Sequence, residues 1–449
     1  MNVKIKLSAS DTPSSNVLLR AVWAELRRGF GTLAWQYMPR RDGSTKTIHF
    51  GMADVGLTEP VMVAVEYKKK GIVAAIVFET AASIAGRLQA CVDTAHASVE
   101  KLELRCYKMA LATIGEFADV TAENVSLKSK SPTTAELIVR IPAFDDEDGR
   151  VEFTKRLHPI IDIVSVFTNL PLRAAKQSEH EAPDGKVRTA LQPISPDWLD
   201  GHPIVAGLLV IPEPAYELLE AIALNSLSYE QQLLVSAAHH FHAALVLERE
   251  SYSAWGGGVS SELATVLYVS ALEVTSMIGA ASPEACGDCG QPKHRIAERV
   301  RGLVAKCLGE RAAGVVSGLY TVRSKYLHAG QLLSTRSYVG TSLPQLDPSG
   351  PEHVEMQSPL IGLLNLREYT SFCLRHVARN LSAATGAGKV DGDGRPRDAS
   401  VGELLVAHTS RPRTRQLAHF GDAEELELPD RHLRGDGGAG RVAQASPPR

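Results

Sequence analysis

The chain has 449 residues, 44% of them hydrophobic, which allows two or three domains with real cores. A formal net charge of −3 excludes a strongly basic or acidic whole-chain field, so charge informs on partners only locally. Six cysteines are too few for a disulfide scaffold, and Cys91, Cys106, Cys307 and Cys373, in apolar-periodic segments, are expected to be buried free thiols. The opening MNVKIKLSAS lacks the apolar core of a signal peptide, and no run approaches the roughly 18 apolar residues of a membrane span. The expectation is a cytoplasmic location and no membrane partner.

Residues 1–210 read as mixed α and β. Over 15–29, Leu18, Leu19, Val22 and Leu26 recur at helical spacing behind Ser14 and Ser15 as caps. Strands are predicted at 46–51, 61–67, 72–79, 134–141 and 159–168, the last being the β-branched PIIDIVSVFT. Residues 81–100 read as a helix, and VEKLELRCYKMA alternates like a half-buried strand. No phosphate loop, nucleotide fingerprint or repeat marks this half, so its role stays open, with sensing or regulation one option. Residues 176–203, polar and rich in Pro and Gly, read as a linker or long surface loop.

From 214 to 385 the pattern turns to successive helices. LSYEQQLLVSAAHHFHAALVLER places Leu234, Ala238, Phe241 and Leu245 on one stripe, and SELATVLYVSALEVTSMIG places Leu263, Leu267, Val274 and Ile278 on another. RIAERVRGLVAKCL and AAGVVSGLYTVRSKYLHAG make a third and fourth helix, and SPLIGLLNLREYTSFCLRHVARNL a fifth. Short connections favour an antiparallel bundle. Residues 386–449, rich in Gly, Pro, Arg and Asp with few large apolar side chains, are expected to be a disordered tail. The expected fold class is therefore α+β, a mixed α/β domain followed by an all-α bundle.

Within the fourth helix, Arg323 and His328 stand five positions apart. On a regular helix that is about 7.5 Å along the axis and roughly 140° around it, so they do not share a face. Gly330 suggests that the helix ends just past His328, where a loosened last turn would bring the imidazole round. A phosphodiester could then receive a guanidinium fork on its non-bridging oxygens and an imidazole near a reacting hydroxyl. That pairing suits metal-independent RNA cleavage, because RNA carries its own 2′-OH nucleophile. By spacing alone, the simpler account is a surface arginine and a histidine suited to the negative end of the helix dipole.

The setting adds to the pair. LYTVRSKYLHAG lies on a bundle helix with Leu319, Val322 and Tyr326 as its inward stripe, downstream of a helix containing ALE and of a CxxCG loop leading into RIAERV. This arrangement resembles the HEPN superfamily, most closely its Apea-like branch, whose motif is an Arg-x4-6-His often written RSxxxHG. Arg323, Ser324 and His328 match it, with Ala329 interposed before Gly330. The resemblance covers roughly residues 226–385. It implies a bundle of four or five helices that dimerises so that two motifs face one cleft. It also implies a metal-independent endoribonuclease with no catalytic cofactor, of the kind used in toxins or phage defence and restrained until a regulatory protein or phage trigger acts. Other members have lost activity and bind RNA or protein, and that alternative stays open. Glu273, in the ALE, is placed to orient Arg323 or His328, or else is a solvated carboxylate.

Two further signals surround the motif. From 286 to 333 eight Lys or Arg, including Arg295, Arg299, Arg301 and Lys325, face three acids, either a solvated helix face or a surface that steers RNA. Cys286 and Cys289 in ACGDCGQPKH have the form of a zinc knuckle, with His294 nearby and Cys373 and His376 as a CxxH pair. They make a structural zinc site or a pair of ordinary loop thiols. His239 and His242 could share a ligand, but spacing fixes no partner carboxylate for them.

Overall fold

The computed structural model describes residues 2–41, 46–69, 71–113, 117–131, 133–175, 204–205, 208–253, 258–280, 294–330 and 359–386. The expected linker at 176–203, the CxxC loop with Cys286 and Cys289, and the tail beyond 386 lie outside the described residues.

The alternation in MNVKIKLSAS builds an edge strand, β1 (Asn2–Lys6), and α1 (Thr12–Phe30) follows it. Asp11 is the N-cap of α1, one turn earlier than Ser14 or Ser15. Its carboxylate accepts from the Ser14 N–H at 2.8 Å, while the Ser14 hydroxyl accepts from the Asp11 N–H at 3.1 Å. Then come β2 (Ala34–Arg41), β3 (Thr47–Asp54), β4 (Val61–Lys69), β5 (Ile72–Glu79) and α2 (Ala85–Ser98). The strands form an antiparallel sheet in the order β1-β5-β4-β3-β2. Ile5, Val63, Ile76 and Phe78 pack beneath Leu18, Val22 and Leu26 of α1 and Leu88 and Val92 of α2 in one core.

A second antiparallel sheet follows from β6 (Glu103–Ala112), β7 (Val120–Thr121), β8 (Val125–Ser131), β9 (Thr134–Ala143) and β10 (Arg173–Ala174), in the order β10-β6-β9-β8-β7. Cys106 on β6 is exposed, whereas Cys91 and Cys373 are buried and Cys307 is half-buried, so the expectation of buried thiols fails at Cys106.

The segment expected as a strand at 159–168 is instead the end of a long helix, α3 (Asp146–Thr168). Asp145 caps it by accepting from the Asp148 N–H at 2.8 Å, and Asp146, Glu147 and Asp148 occupy the positive end of its dipole. Helix-unfavourable β-branched residues cost at most about 0.7 kcal/mol each, while burying an Ile or Val side chain contributes roughly 1.5–3 kcal/mol. Because Ile160, Ile161, Ile163, Val164 and Val166 are all buried, packing decides the conformation.

α3 lies between the second sheet and a set of helices: α4 (Glu213–Leu224), α5 (Tyr229–Ser253), α6 (Gly258–Thr275), α7 (Ile296–Leu308), α8 (Glu310–Ala329) and α9 (Pro359–Gly386). A two-stranded ladder, β11 (Ile204–Val205) with β12 (Leu208–Leu209), precedes α4. One continuous core runs from Leu137 of β9 through Ile160 and Val164 of α3 to Leu218, Phe241, Tyr268 and Leu374 of the bundle, crossing residue 210 without a break. The α6 stripe is rotated from the expected one. Ala264, Tyr268, Val269, Ala271 and Leu272 are buried while Leu263 is exposed, so small residues let α5 and α6 approach closely around Tyr268. The architecture is α+β with antiparallel sheets. No helix among the described residues is long and apolar enough to cross a membrane.

Candidate functional site

α8 carries the Arg/His pair, and its course decides what the pair can do. It remains helical to Ala329 and ends on Gly330 at φ 65°, whose N–H reaches the Lys325 and Tyr326 carbonyls. The last turn therefore does not loosen, and Arg323 and His328 stay roughly 140° apart around the axis. His328 is exposed, Lys325 is exposed and Ser324 is half-buried. Leu319 packs on the core and Tyr326 is half-buried, in keeping with the inward stripe; the side chain of Val322 lies outside the described residues.

Arg323 turns inward to α6. Its Nη2 donates to Glu273 Oε2 at 2.8 Å and, more weakly, to Ser270 Oγ at 3.4 Å. Both partners of the ion pair are mostly covered, at 15% and 17% side-chain exposure, so the attraction is less screened than at an open surface. The guanidinium carbon lies 6.0 Å from the Tyr320 ring centroid. Burial pushes the Tyr320 phenol up, Glu273 adds to this by its charge and by accepting the hydroxyl proton, and Arg323 and Arg299 oppose it. Glu273 also acts on His240 of α5, whose imidazole is held below its ordinary value by burial and then by His239, with Glu273 opposing. One carboxylate on α6 thus holds Arg323 of α8, with Tyr320 of the same helix beside the guanidinium.

The other basic residues divide. Arg295 pairs with Glu298 at 3.6 Å and Arg301 with Glu310 at 3.2 Å, both exposed pairs of the kind that contribute little to stability. Arg299 is half-buried, and its Nε lacks a hydrogen-bond partner.

Of the candidate zinc ligands, Cys286 and Cys289 lie outside the described residues; among the described residues no group of three His, Cys, Asp or Glu side chains is arranged to hold a metal ion. Cys373 is buried, and its thiol shares a hydrogen bond with Cys307 of α7; this bond and then burial push Cys373 up, while the same bond lowers Cys307 against the effect of burial. His376 stacks on Phe372 at a centroid distance of 6.4 Å.

Spacing could not reveal the partner of the histidine run. Asp162 of α3, buried, meets His239 Nδ1 at 3.0 Å and His242 Nδ1 at 2.7 Å, while His242 Nε2 donates to the Leu172 carbonyl at 2.8 Å. The only signal was an aspartate inside an apolar run, which marks a buried charge seeking a partner but does not name it. Comparison with family models, with curated proteins and with solved structures finds no match for the chain.

Proposed function

We propose that the bundle is a HEPN-type, metal-independent endoribonuclease acting as a homodimer in a defence or toxin setting in the cytoplasm. On this reading, residues 1–210 receive a regulatory protein or phage trigger. The observation that carries it is Arg323, held across the bundle by Glu273 at 2.8 Å with its Nε unpartnered, on the same rigid helix as an exposed His328.

In the reaction, His328 takes the proton from the 2′-OH, the 2′ oxygen attacks phosphorus, and the P–O5′ bond breaks as the 5′ oxygen takes a proton from water. Arg323 donates to the non-bridging oxygens as charge builds on the phosphorane, and Ser324 flanks it. Because α8 stays helical, the two side chains of one chain diverge. Two copies facing each other across a cleft would set His328 of one opposite Arg323 of the other, which makes dimerisation part of the mechanism.

The full chain is expected to cleave RNA in EDTA and leave 2′,3′-cyclic phosphate ends. The Arg323→Ala/His328→Ala double variant should lose at least ~100-fold in rate. Cleavage undiminished in that variant would remove the assigned chemistry. A catalytically inactive scaffold that binds RNA or protein is favoured by one observation: Glu273 already occupies part of the Arg323 guanidinium. It predicts RNA binding and dimerisation with no product.

A further inference from the structure

We propose that Cys307 of α7 and Cys373 of α9 form a peroxide-responsive dithiol, in which Cys307 is oxidised first and Cys373 then closes a disulfide with it. The proposal stands independently of the nuclease reading.

Both residues carry free thiols, and the two meet in one hydrogen bond along the seam where α7 packs on α9. Cys373 is fully buried in the bundle core, whereas Cys307 packs on that core and stays half-buried. The pair is thus open to solvent on the Cys307 side alone. A thiol reacts as its thiolate, so the surroundings of each sulfur decide which one attacks. The hydrogen bond with Cys373 favours the Cys307 thiolate more than burial opposes it, and the exposed Lys306 adds to this. At Cys373 the same bond and then burial hold the proton on, with Arg375 opposing. Cations gathered at this seam also act on His376 of α9, whose imidazole is pushed down by burial and then by Lys306 and Arg379.

The chemistry needs only hydrogen peroxide as oxidant. The Cys307 thiolate attacks one peroxide oxygen, the O–O bond breaks, and hydroxide leaves as Cys307 becomes a sulfenic acid. The Cys373 sulfur then attacks the Cys307 sulfur and gives up its proton. The S–O bond breaks, and the departing hydroxide takes that proton and leaves as water. From hydrogen-bond contact the sulfurs close to about 2.05 Å. A dithiol reductant reverses the step by exchange.

The other described cysteines show the contrast. Burial and then Glu25 push the Cys91 thiol up, with Arg87 opposing. Cys106 is exposed on β6, against β9, β10 and α3, which hold none of the other three described cysteines. The ring closed by a bond between Cys307 and Cys373 contains all of α8, with Arg323 and His328. Oxidation therefore ties together the two ends of the segment that carries the candidate site.

The test treats the full chain with one equivalent of hydrogen peroxide, blocks remaining thiols with iodoacetamide, and maps tryptic peptides by mass without reduction. Cys286→Ser and Cys289→Ser keep the loop thiols from taking part. The expected product joins CLGER (307–311) to EYTSFCLR (368–375) within one chain and vanishes with dithiothreitol. Cys373→Ala should abolish it and leave a Cys307 sulfenic acid that dimedone labels about 10-fold faster than Cys106. In Cys307→Ala, Cys373 should take almost no dimedone. Circular dichroism of each variant separates lost chemistry from lost fold, and the map of the chain with Cys307 and Cys373 intact decides the pairing even where Cys373→Ala misfolds. Absence of the linked peptides, or their appearance only in urea, overturns the proposal. Dimedone labelling of Cys106 as fast as that of Cys307, or equal labelling of Cys373 with Cys307 removed, overturns the order of oxidation.

Discussion

Arg367 of α9 sits where the bundle buries most of its charge. Its Nη1 donates to Glu248 at 3.0 Å and its Nη2 to Glu368 at 2.7 Å, while the Tyr268 hydroxyl donates to Glu248 at 2.6 Å and Asn169 Nδ2 reaches Glu368 at 3.3 Å. Burial alone would favour loss of the Arg367 proton, but the flanking carboxylates more than offset it and push the guanidinium up. Such a buried network adds little net stability, since desolvation cancels most of the Coulombic gain. Removing one member is different, because its partners stay buried without counter-charge. Arg367→Met is expected to destabilise by roughly 3–5 kcal/mol, read from urea unfolding of the full chain. At Glu273, by contrast, the Nε of its partner Arg323 is left without a hydrogen-bond partner.

At the scale of elements, α3 and α8 carry opposite lessons. α3 shows packing overriding propensity, a β-branched run made helical because sheet and bundle cover it on all sides. α8 shows a local signal obeyed, since Gly330 stops the helix in the left-handed conformation that glycine adopts without steric cost. An added Cβ at Gly330 would meet nothing within 4 Å, so a substitution there reports backbone conformation alone. Gly330→Ala is expected to cost about 1 kcal/mol in thermal unfolding. It should also speed amide exchange in the turn that carries His328, with little change further up the helix.

For the whole molecule, the first sheet and its helices are riveted to the rest by arginines of α1. Arg20 grips Asp148 with Nε and Nη2, both at 2.8 Å, and Arg27 grips Asp145 at 2.7 and 2.9 Å. Burial would push the carboxyls of Asp145 and Glu152 up. Hydrogen bonds from Arg27 to the first, and from Lys155 and Arg156 to the second, outweigh this and hold both below their ordinary values. Their folded pKa values therefore lie beneath the unfolded ones. The stability they contribute is present above the ordinary carboxylate value of about 4 and is lost as pH falls through the lower folded values. Acid titration followed by near-ultraviolet circular dichroism should show the fold weakening only below about pH 4. Arg27→Leu should move that loss to higher pH, since the Asp145 carboxyl would lose the partner that holds it down.

Periodicity in the sequence determined most of the helices and central strands, because alternation and the 3.6-residue repeat are written locally in which side chains must leave water. The helix that carries Arg323 and His328, and its stop at Gly330, were legible in the same local way, the stop from glycine's freedom to take the left-handed conformation. Only the tertiary structure decided that 159–168 is helix, that Tyr268 rather than Leu263 faces the core, and that Asp162 serves His239 and His242. It also decided that Glu273 binds Arg323 and that the last turn of α8 stays wound. These depend on residues tens of positions apart sharing one desolvated space, where the energy of a buried charge or donor is set by its neighbours and not by its place in the chain.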